Sequence, residues 1–491
     1  MKPFSHLILA ICLFANNLNV FGQQFLGNRI SNFTSADALQ LNPAASAISA
    51  VPCDIKILSG GAYIYNEYGY IINESILSAL SKNNALFVDS ITKYGNTVDA
   101  AQNQTGFNKT LFYDFANIQK PFNNVVQIEI GGPSFSGRIG NIGFGMFTNF
   151  KANFNSLNAD KILNYDTLSD LNHKQVYPIG AMNVVSGAYS EVGINFSHAF
   201  KTEREHKISI GLNAKLLLGH EAIYIDNKAP TTFYKNRDSL WVQGGDIELG
   251  FATGYDLNKN YKAGIQGLGF AFDLGTSYLF PSNDEQKPYS VKLGVSLLDI
   301  GFINFNKNAE AHAIQFTDVR DFLNNAYKGN TAQVSMARTI SFQGFDDSLY
   351  TLQSNSFRIG SPTSLHIQAD FNIVRNVFIN VNFTRRISFM ARQFQRSNSI
   401  AITPRVEYKW FEVGTPLSLI EDQLFGLGMY MRFGPLTIGS EQLNAWLIKQ
   451  STLQSGDVYL SLRVFPFKTK KTAHSRTNGR SRANDYGCYK F

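Results

Sequence analysis

Between Gly269 and Phe280 the chain alternates almost without fault. Phe270, Phe272, Leu274, Thr276, Tyr278 and Phe280 fall on one face of an extended chain, and Ala271, Asp273, Gly275, Ser277 and Leu279 on the other. Successive strand side chains point to opposite faces, so the stretch is predicted as a strand with one apolar, aromatic face and one small or polar face. It runs for about a dozen residues. Globular strands usually have about five or six, whereas a strand crossing a bilayer needs roughly 9–11. Aromatics at both ends of the apolar face suit the two interfacial girdles of a membrane barrel.

The same grammar recurs. In Lys207–Leu218, Ile208, Ile210, Leu212, Ala214, Leu216 and Leu218 oppose Lys207, Ser209, Gly211, Asn213 and Lys215. In Ser364–Ile373, Leu365, Ile367, Ala369, Phe371 and Ile373 oppose Ser364, His366, Gln368, Asp370 and Asn372. Asn376–Thr384 and Asp457–Phe467 repeat the pattern. These sets are predicted to be the lipid-facing and lumen-facing sides of one closed barrel, with Asp273, Lys215, His366 and Asp370 pointing into the lumen.

Taken in order, Gln23–Pro52 has little strand pattern, and Asp54–Tyr65 reads as the first strand. Asn73–Asn124 is an extracellular loop or part of a plug, with Ile76, Leu77, Leu80 and Phe87 hinting at a short helix. Hairpins are predicted around Arg138–Asn141 and the charged turn Thr202–His206. Ala222–Gly244 reads as a polar loop and Gly245–Leu257 as a strand of its own. In the long interruption Phe305–Pro362, the residues Val319, Phe322, Leu323, Ala326 and Tyr327 have helical spacing. Close-set strands follow from Ser364 onward. The count is about 14 to 16, where bacterial barrels have an even number. The in-out bookkeeping fails once: counted from the C-terminus, Ala222–Gly244 falls on the periplasmic side, so a strand between Gly245 and Gly269 is missed or invented.

Composition supports a membrane barrel. Only 16% of residues are charged, against about 25% in ordinary soluble chains, and aromatics reach 13% with 40 Phe and 22 Tyr. The net charge of +7 resides at the ends, with Lys2 in the leader and seven basic residues against Asp485 in Lys468–Phe491. The body is formally neutral, so no nucleic-acid groove is implied.

Lys2, the apolar Leu7–Phe14 and Val20-Phe21-Gly22 form a leader expected to be cleaved after Gly22. Ile11 before Cys12 spoils a lipoprotein box, and Cys53 and Cys488 are too few for a disulfide framework. After the leader no apolar run of about 18 residues marks a membrane helix. The expected organisation is a signal peptide (1–22), a hatch segment (23–53), a transmembrane barrel (54–467) and a basic disordered tail (468–491). Phe465 and Phe467, or Phe491, suit a barrel-insertion signal.

The Asn42-Pro43-Ala44 element after the leader resembles the N-terminal hatch of the long-chain fatty-acid transporter porin superfamily. Gly267–Gly275 and Arg432–Ser440 resemble segments of an uncharacterised family of Bacteroidetes-type outer-membrane barrels, a domain of unknown function. The resemblance covers most of the mature chain. It implies an all-β, up-and-down barrel of 14 strands in the outer membrane, and no established ligand. It also makes Asn42, Pro43 and Ala44 the candidate hatch. From the residues alone, Asn42-Pro43 is a turn, because the residue before proline is pushed out of helical space.

No HExxH, paired CxxC or GxSxG occurs. Asp256–Asn260 begins like a calcium loop but has Tyr261 where glycine is required and Gly267 where the bidentate glutamate belongs. His366 and Asp370 stand four residues apart on one strand face, roughly 13 Å at strand rise and too far for a dyad unless another strand intervenes. His220-Glu221 reads as part of a loop rim. Neither cofactor nor catalysis is expected. The expected function is an outer-membrane barrel that passes or binds small, hydrophobic molecules; the alternative is a non-transporting envelope scaffold or a partner of secretion machinery. The expected partners are outer-membrane lipid, the barrel-assembly machinery during insertion, and a small hydrophobic ligand.

Overall fold

The computed structural model describes residues 25–87, 108–115, 122–159, 175–202, 206–235, 239–255, 260–284, 287–315, 320–323, 333–421 and 424–464. The alternating segments pair antiparallel into a closed barrel of 14 strands. They are β1 (Cys53–Asn66), β2 (Phe122–Gly131 and Ser134–Ile139), β3 (Ile142–Ala159), β4 (Met182–Lys201), β5 (Lys207–Ala229), β6 (Asp246–Ala252 and Gly267–Phe280) and β7 (Val291–Phe305 and Ala309–Gln315). Then come β8 (Leu352–Ser354, Phe357–Gly360 and Ser364–Val374), β9 (Val377–Arg386), β10 (Ser399–Glu407), β11 (Phe411–Gly414 and Leu417–Ile420), β12 (Leu424–Leu427 and Met429–Phe433), β13 (Leu436–Ser440) and β14 (Ser455–Val464). Closure is made by β1 along β14, with Ile55 opposite Val464 and Tyr65 opposite Ser455, so no edge is left open.

The interrupted strands explain the failed bookkeeping. β5 pairs with both halves of β6, Ala222 with Ala252 and Gly219 with Gly267. Asp246–Ala252 and Gly267–Phe280 are therefore one wall strand that leaves the wall after Ala252 and returns at Gly267. Alternation cannot reveal that two stretches share one partner. With this strand merged, the short turns and both described ends of the barrel fall at one rim, and the long loops at the other. The predicted polar loop Ala222–Gly244 is also corrected, since β5 continues to Ala229.

Above the wall, Gln175–Ile179, Thr231–Lys235, Ser239–Gln243 and Arg320–Leu323 form a separate sheet. This overturns the helix predicted over Val319–Tyr327: Phe322 pairs with Leu240 and Leu323 with Ser239, and the ladder offered by that neighbour outweighs helical spacing. Val319, Ala326 and Tyr327 lie outside the described residues. Among the described residues of this loop the helix is Gln333–Phe345. Ile76, Leu77 and Leu80 lie in the short helix Ile76–Leu80, capped by the Ser75 side chain, whereas Phe87, read with them, ends the strand Asn84–Phe87. The leader, the tail, Phe465, Phe467 and Phe491 lie outside the described residues.

The faces of β5, β6, β8 and β14 fall as the alternation demands; in β1, where Ile55, Ile57, Tyr63 and Tyr65 read as one face, a register shift between Lys56 and Leu58 leaves Ile57 outside and turns Tyr63 and Tyr65 inward. Phe270, Phe272, Leu274, Ile210, Leu212, Ile367, Val458 and Leu460 are exposed on the outside. Ser209, Asn213, Asp273, Ser277 and Asp370 are buried on the inside. An apolar belt around a polar-lined interior is the surface of a transmembrane barrel. Phe272→Arg is expected to destabilise the barrel by ~2–4 kcal/mol, because it drives a guanidinium into hydrocarbon. A nitroxide at position 272 should meet lipid-dissolved oxygen and one at position 273 should not; equal access at both would refute the face assignment.

Candidate functional site

The lumen is occupied by the N-terminal segment, folded as α1 (Leu26–Arg29), α2 (Ser35–Ala38) and a 3-10 turn, Pro43–Ile48. Pieces this short are not stable alone, and the wall holds them. Asn42 caps the 3-10 turn, its Oδ1 accepting from the Ala44 N–H at 2.9 Å, and Pro43 follows at a position where no N–H is needed. Asn42 Nδ2 donates to Thr276 O at 3.0 Å and Ser277 Oγ at 3.1 Å on β6. Pro43 O accepts from Asn195 Nδ2 at 2.9 Å on β4, and Ala44 O from Ser209 Oγ at 2.8 Å on β5.

Inward-facing glycines make room for this turn. A Cβ on Gly211 would lie 2.3 Å from the Pro43 carbonyl carbon, and one on Gly275 2.3 Å from Asn42 Oδ1. On Gly143 it would meet Ala47 N at 2.4 Å. Gly275→Val is expected to displace the turn and to cost about 1–3 kcal/mol, the usual penalty for overfilling a packed site. A label at position 44 gaining mobility in that variant would show it; unchanged mobility would count against the cradle.

Ion pairs fix the rest of the segment. Asp37 accepts from Lys56 Nζ on β1 at 2.8 Å and from Arg463 Nη2 on β14 at 2.8 Å. Burial pushes the Asp37 carboxyl up, but Lys56 and Arg463 outweigh burial and hold it below the usual carboxylate range. Arg463 also reaches Asp54 at 3.1 Å, and Arg29 reaches Glu129 on β2 at 2.6 Å. Ser31 Oγ donates to Glu412 at 2.6 Å, and the Asn32 N–H to Glu407 at 3.1 Å.

Of the four lumen residues singled out in the sequence, Lys215 and Asp273 meet: Lys215 Nζ lies 2.7 Å from Asp273 and 2.5 Å from Asp299 on β7. Asp299 sits at a register shift between β6 and β7 with φ 53°. This is a left-handed conformation that an aspartate tolerates better than most residues. His366 and Asp370 go to different neighbours. His366 Nε2 is 3.0 Å from Asn382 Oδ1, while Asp370 accepts both Nη groups of Arg405, at 2.7 and 2.9 Å. They form no dyad. Sequence reasoning missed Asp37, Lys56, Asp299, Arg405 and Arg463. A readable signal existed for Lys56, Arg405 and Arg463: a charge at the inward phase of an apolar alternation, such as Lys56 between Ile55 and Ile57.

Towards the long-loop rim the lining turns apolar. Tyr189, Leu217, Tyr224, Ile303, Phe305 and Phe357 are buried together. The β9–β10 connection, 387–398, folds inward over them. Its Phe394 stacks on Tyr189 with ring centroids 5.6 Å apart. Gln393 Nε2 donates to Ser361 O at 2.9 Å, the Gln395 N–H to Asn155 Oδ1 at 3.1 Å, and Arg396 pairs with Asp299. The interior is thus stacked: the N-terminal segment, a charged layer around Lys215 and Asp299, and an apolar layer closed by a loop. Among the described residues no group of three or more His, Cys, Asp or Glu is placed to hold a metal ion.

Residues 73–441 match a family model described as a family of unknown function, DUF5723. The chain belongs to that family. No curated protein matches the sequence. Among solved structures, a TodX deltaS2S3 mutant monoaromatic hydrocarbon channel is similar at 10% identity with a TM-score of 0.42, over 92% of this chain and 100% of that one. The P. putida toluene transporter TodX is similar at 10% identity with a TM-score of 0.37, over 88% and 93%. A Pseudomonas aeruginosa FadL homologue is similar at 7% identity with a TM-score of 0.24, over 91% and 100%.

Proposed function

We propose that this barrel sits in the outer membrane and passes or binds small hydrophobic molecules, with the N-terminal segment as its hatch and Asp273, in its ion pair with Lys215, as part of the hatch anchor. The observation that carries this reading is the apolar layer inside the lumen. A channel for ions or sugars needs polar lining throughout, whereas an apolar pocket suits an apolar guest. Phe394 fills that layer from a loop held by exchangeable hydrogen bonds and two ion pairs, Arg392 with Glu248 and Arg396 with Asp299, so outward movement of the loop would vacate a greasy chamber.

The test is uptake by proteoliposomes of the full chain. Radiolabelled toluene and a labelled long-chain alcohol should equilibrate faster than in protein-free vesicles, and osmotic swelling in sugars should be absent. Phe394→Asp should reduce binding of the apolar solute. Sugar-driven swelling, or no gain for either apolar solute, would overturn the reading. The non-transporting scaffold is favoured by one observation: the lumen is filled from both rims and cross-linked by buried ion pairs. It requires neither apolar uptake nor binding.

A further inference from the structure

We propose that a groove on the outer surface of the barrel, at the β14–β1 seam beneath the overhanging loops, holds one acyl chain of a bilayer lipid. Its floor is wall: Ala62 and Ile64 of β1 beside Gly456 and Val458 of β14. These are outward-facing positions, Ile64 opposite Gly456 and Ala62 opposite Val458. Its roof comes from the loops. Gly69–Glu74, Asn84–Phe87, Thr110–Phe115 and Gln450–Leu453 form a small sheet, which supplies Tyr70, Tyr113 and Leu453; Ile76 and Trp446 come from the helices Ile76–Leu80 and Leu443–Leu447.

The overhang is seated on the wall. A Cβ on Gly456 would lie 2.3 Å from Ile76 Cδ1, so the glycine lets the first helix press against the strand. Below the groove the floor runs without a break into the lipid-facing belt, Leu58 on β1 and Leu460 and Leu462 on β14, all exposed. Beside it Leu77, Leu80, Leu447 and Ile448 are also exposed on the overhang. An apolar surface of this kind, continuous with the belt, belongs to the outer leaflet rather than to water.

The cavity is about 420 Å³, within the range of sites that enclose a small apolar ligand. Three of its polar side chains are bonded within the protein. Trp446 Nε1 donates to Asp457 O at 2.7 Å, Tyr70 OH to Asp114 Oδ2 at 3.2 Å, and Asn66 Oδ1 accepts from the Tyr68 N–H at 2.9 Å. What is left for an occupant is hydrocarbon contact. Asp114 is one of the residues around the groove, and its negative charge disfavours an anionic end inside. The occupant that reaches such a site without leaving hydrocarbon is a lipid tail entering sideways, its head group remaining at the interface beside Tyr70 and Trp446.

This site is independent of passage through the lumen, and its test does not measure transport. The full chain carrying Trp241→Phe and Trp410→Phe keeps Trp446 as its sole tryptophan, and is placed in bilayers containing a phospholipid brominated at mid-chain. Trp446 fluorescence should be quenched at a low brominated fraction and then saturate. Ala62→Phe fills the floor and should weaken the apparent affinity roughly tenfold, with heat-dependent gel mobility confirming a folded barrel. Quenching that rises in proportion to brominated lipid and is unchanged in Ala62→Phe would mean ordinary boundary lipid and overturn the site. So would absence of quenching. Quenching by bilayer-dissolved 1-bromododecane, but not by the brominated lipid, would assign the groove to free hydrocarbon and overturn the lipid assignment.

Discussion

Asp37→Ala is expected to unseat the N-terminal segment while leaving the wall folded. The side chains of Asp37, Lys56 and Arg463 are 4%, 0% and 1% exposed. Removing the carboxylate takes the paired anion from Lys56 and leaves Arg463 with Asp54. Breaking a buried pair from one side costs about 3–5 kcal/mol, because the remaining charge stays buried without compensation. Expressed as release of the segment, that is a rise of roughly 150- to 5,000-fold in the open population. Trypsin added from the short-turn side should cleave at Arg29 much faster in the variant. Asp37→Asn keeps the acceptor oxygen and should fall between. The pH dependence follows from the depressed carboxyl. Its contribution is present above the unfolded value near ~3.9 and is lost as pH falls through the lower folded value. The segment should therefore remain seated in mild acid. Cleavage at Arg29 that is equal in wild type and Asp37→Ala would remove Asp37 from the anchor.

The wall was legible because a barrel writes its two environments at every second residue. Phe272 and Asp273 differ by one position and by the whole distance from hydrocarbon to lumen. The strand count could not be read the same way. Asp246–Ala252 and Gly267–Phe280 both alternate, and only their common neighbour β5 shows that they are one strand. The loop helix was misplaced for a related reason: Phe322 and Leu323 have helical spacing, yet the edge of Ser239–Gln243 captured them.

The interior was legible in type but not in pairing. Lys215 and Asp273 are both recognisable as inward charges, but Asp299, which completes their cluster, lies at a register shift that a regular alternation would place differently. Asp37 and Arg29 sit in a segment with no periodicity at all. Their partners Lys56, Arg463 and Glu129 come from strands brought together only by closure of the barrel. The inward glycines Gly211 and Gly275 were visible as small residues on the polar face, and their purpose depends on a turn more than 160 residues away. The loop carrying Phe394 shows no pattern that distinguishes an inward fold from an outward one.

Arg405→Met should destabilise the wall itself. Arg405 is fully buried, with both Nη groups on Asp370 and its Nε 3.1 Å from Glu407. Glu412 is 3.9 Å away and is shared with Arg432, which reaches it at 3.1 Å. One guanidinium thus compensates carboxylates on β8, β10 and β11, and its plane also covers Phe378, with the ring centroid 4.6 Å from Cζ. Methionine keeps much of the volume and removes the charge, so the loss is expected at or above the ~3–5 kcal/mol of a single broken buried pair. Arg405→Lys should recover only part of it, since an ammonium cannot make the two parallel bonds to Asp370. Urea unfolding in lipid vesicles, followed by tryptophan fluorescence, measures the loss. Asp370→Leu combined with Arg405→Met should be less destabilised than the sum of the single variants, because each single change strands a charge that the double change removes. Strict additivity, or an Arg405→Met loss below ~1 kcal/mol, would mean that this cluster is solvated rather than buried, against the range expected for a buried pair. The N-terminal segment provides a second reading of the same variant. Ser31 and Asn32 donate to Glu412 and Glu407, and these carboxylates gain freedom when Arg405 is lost. Tryptic cleavage at Arg29 should therefore rise in Arg405→Met as well, by less than in Asp37→Ala, since the Asp37 pairs remain intact.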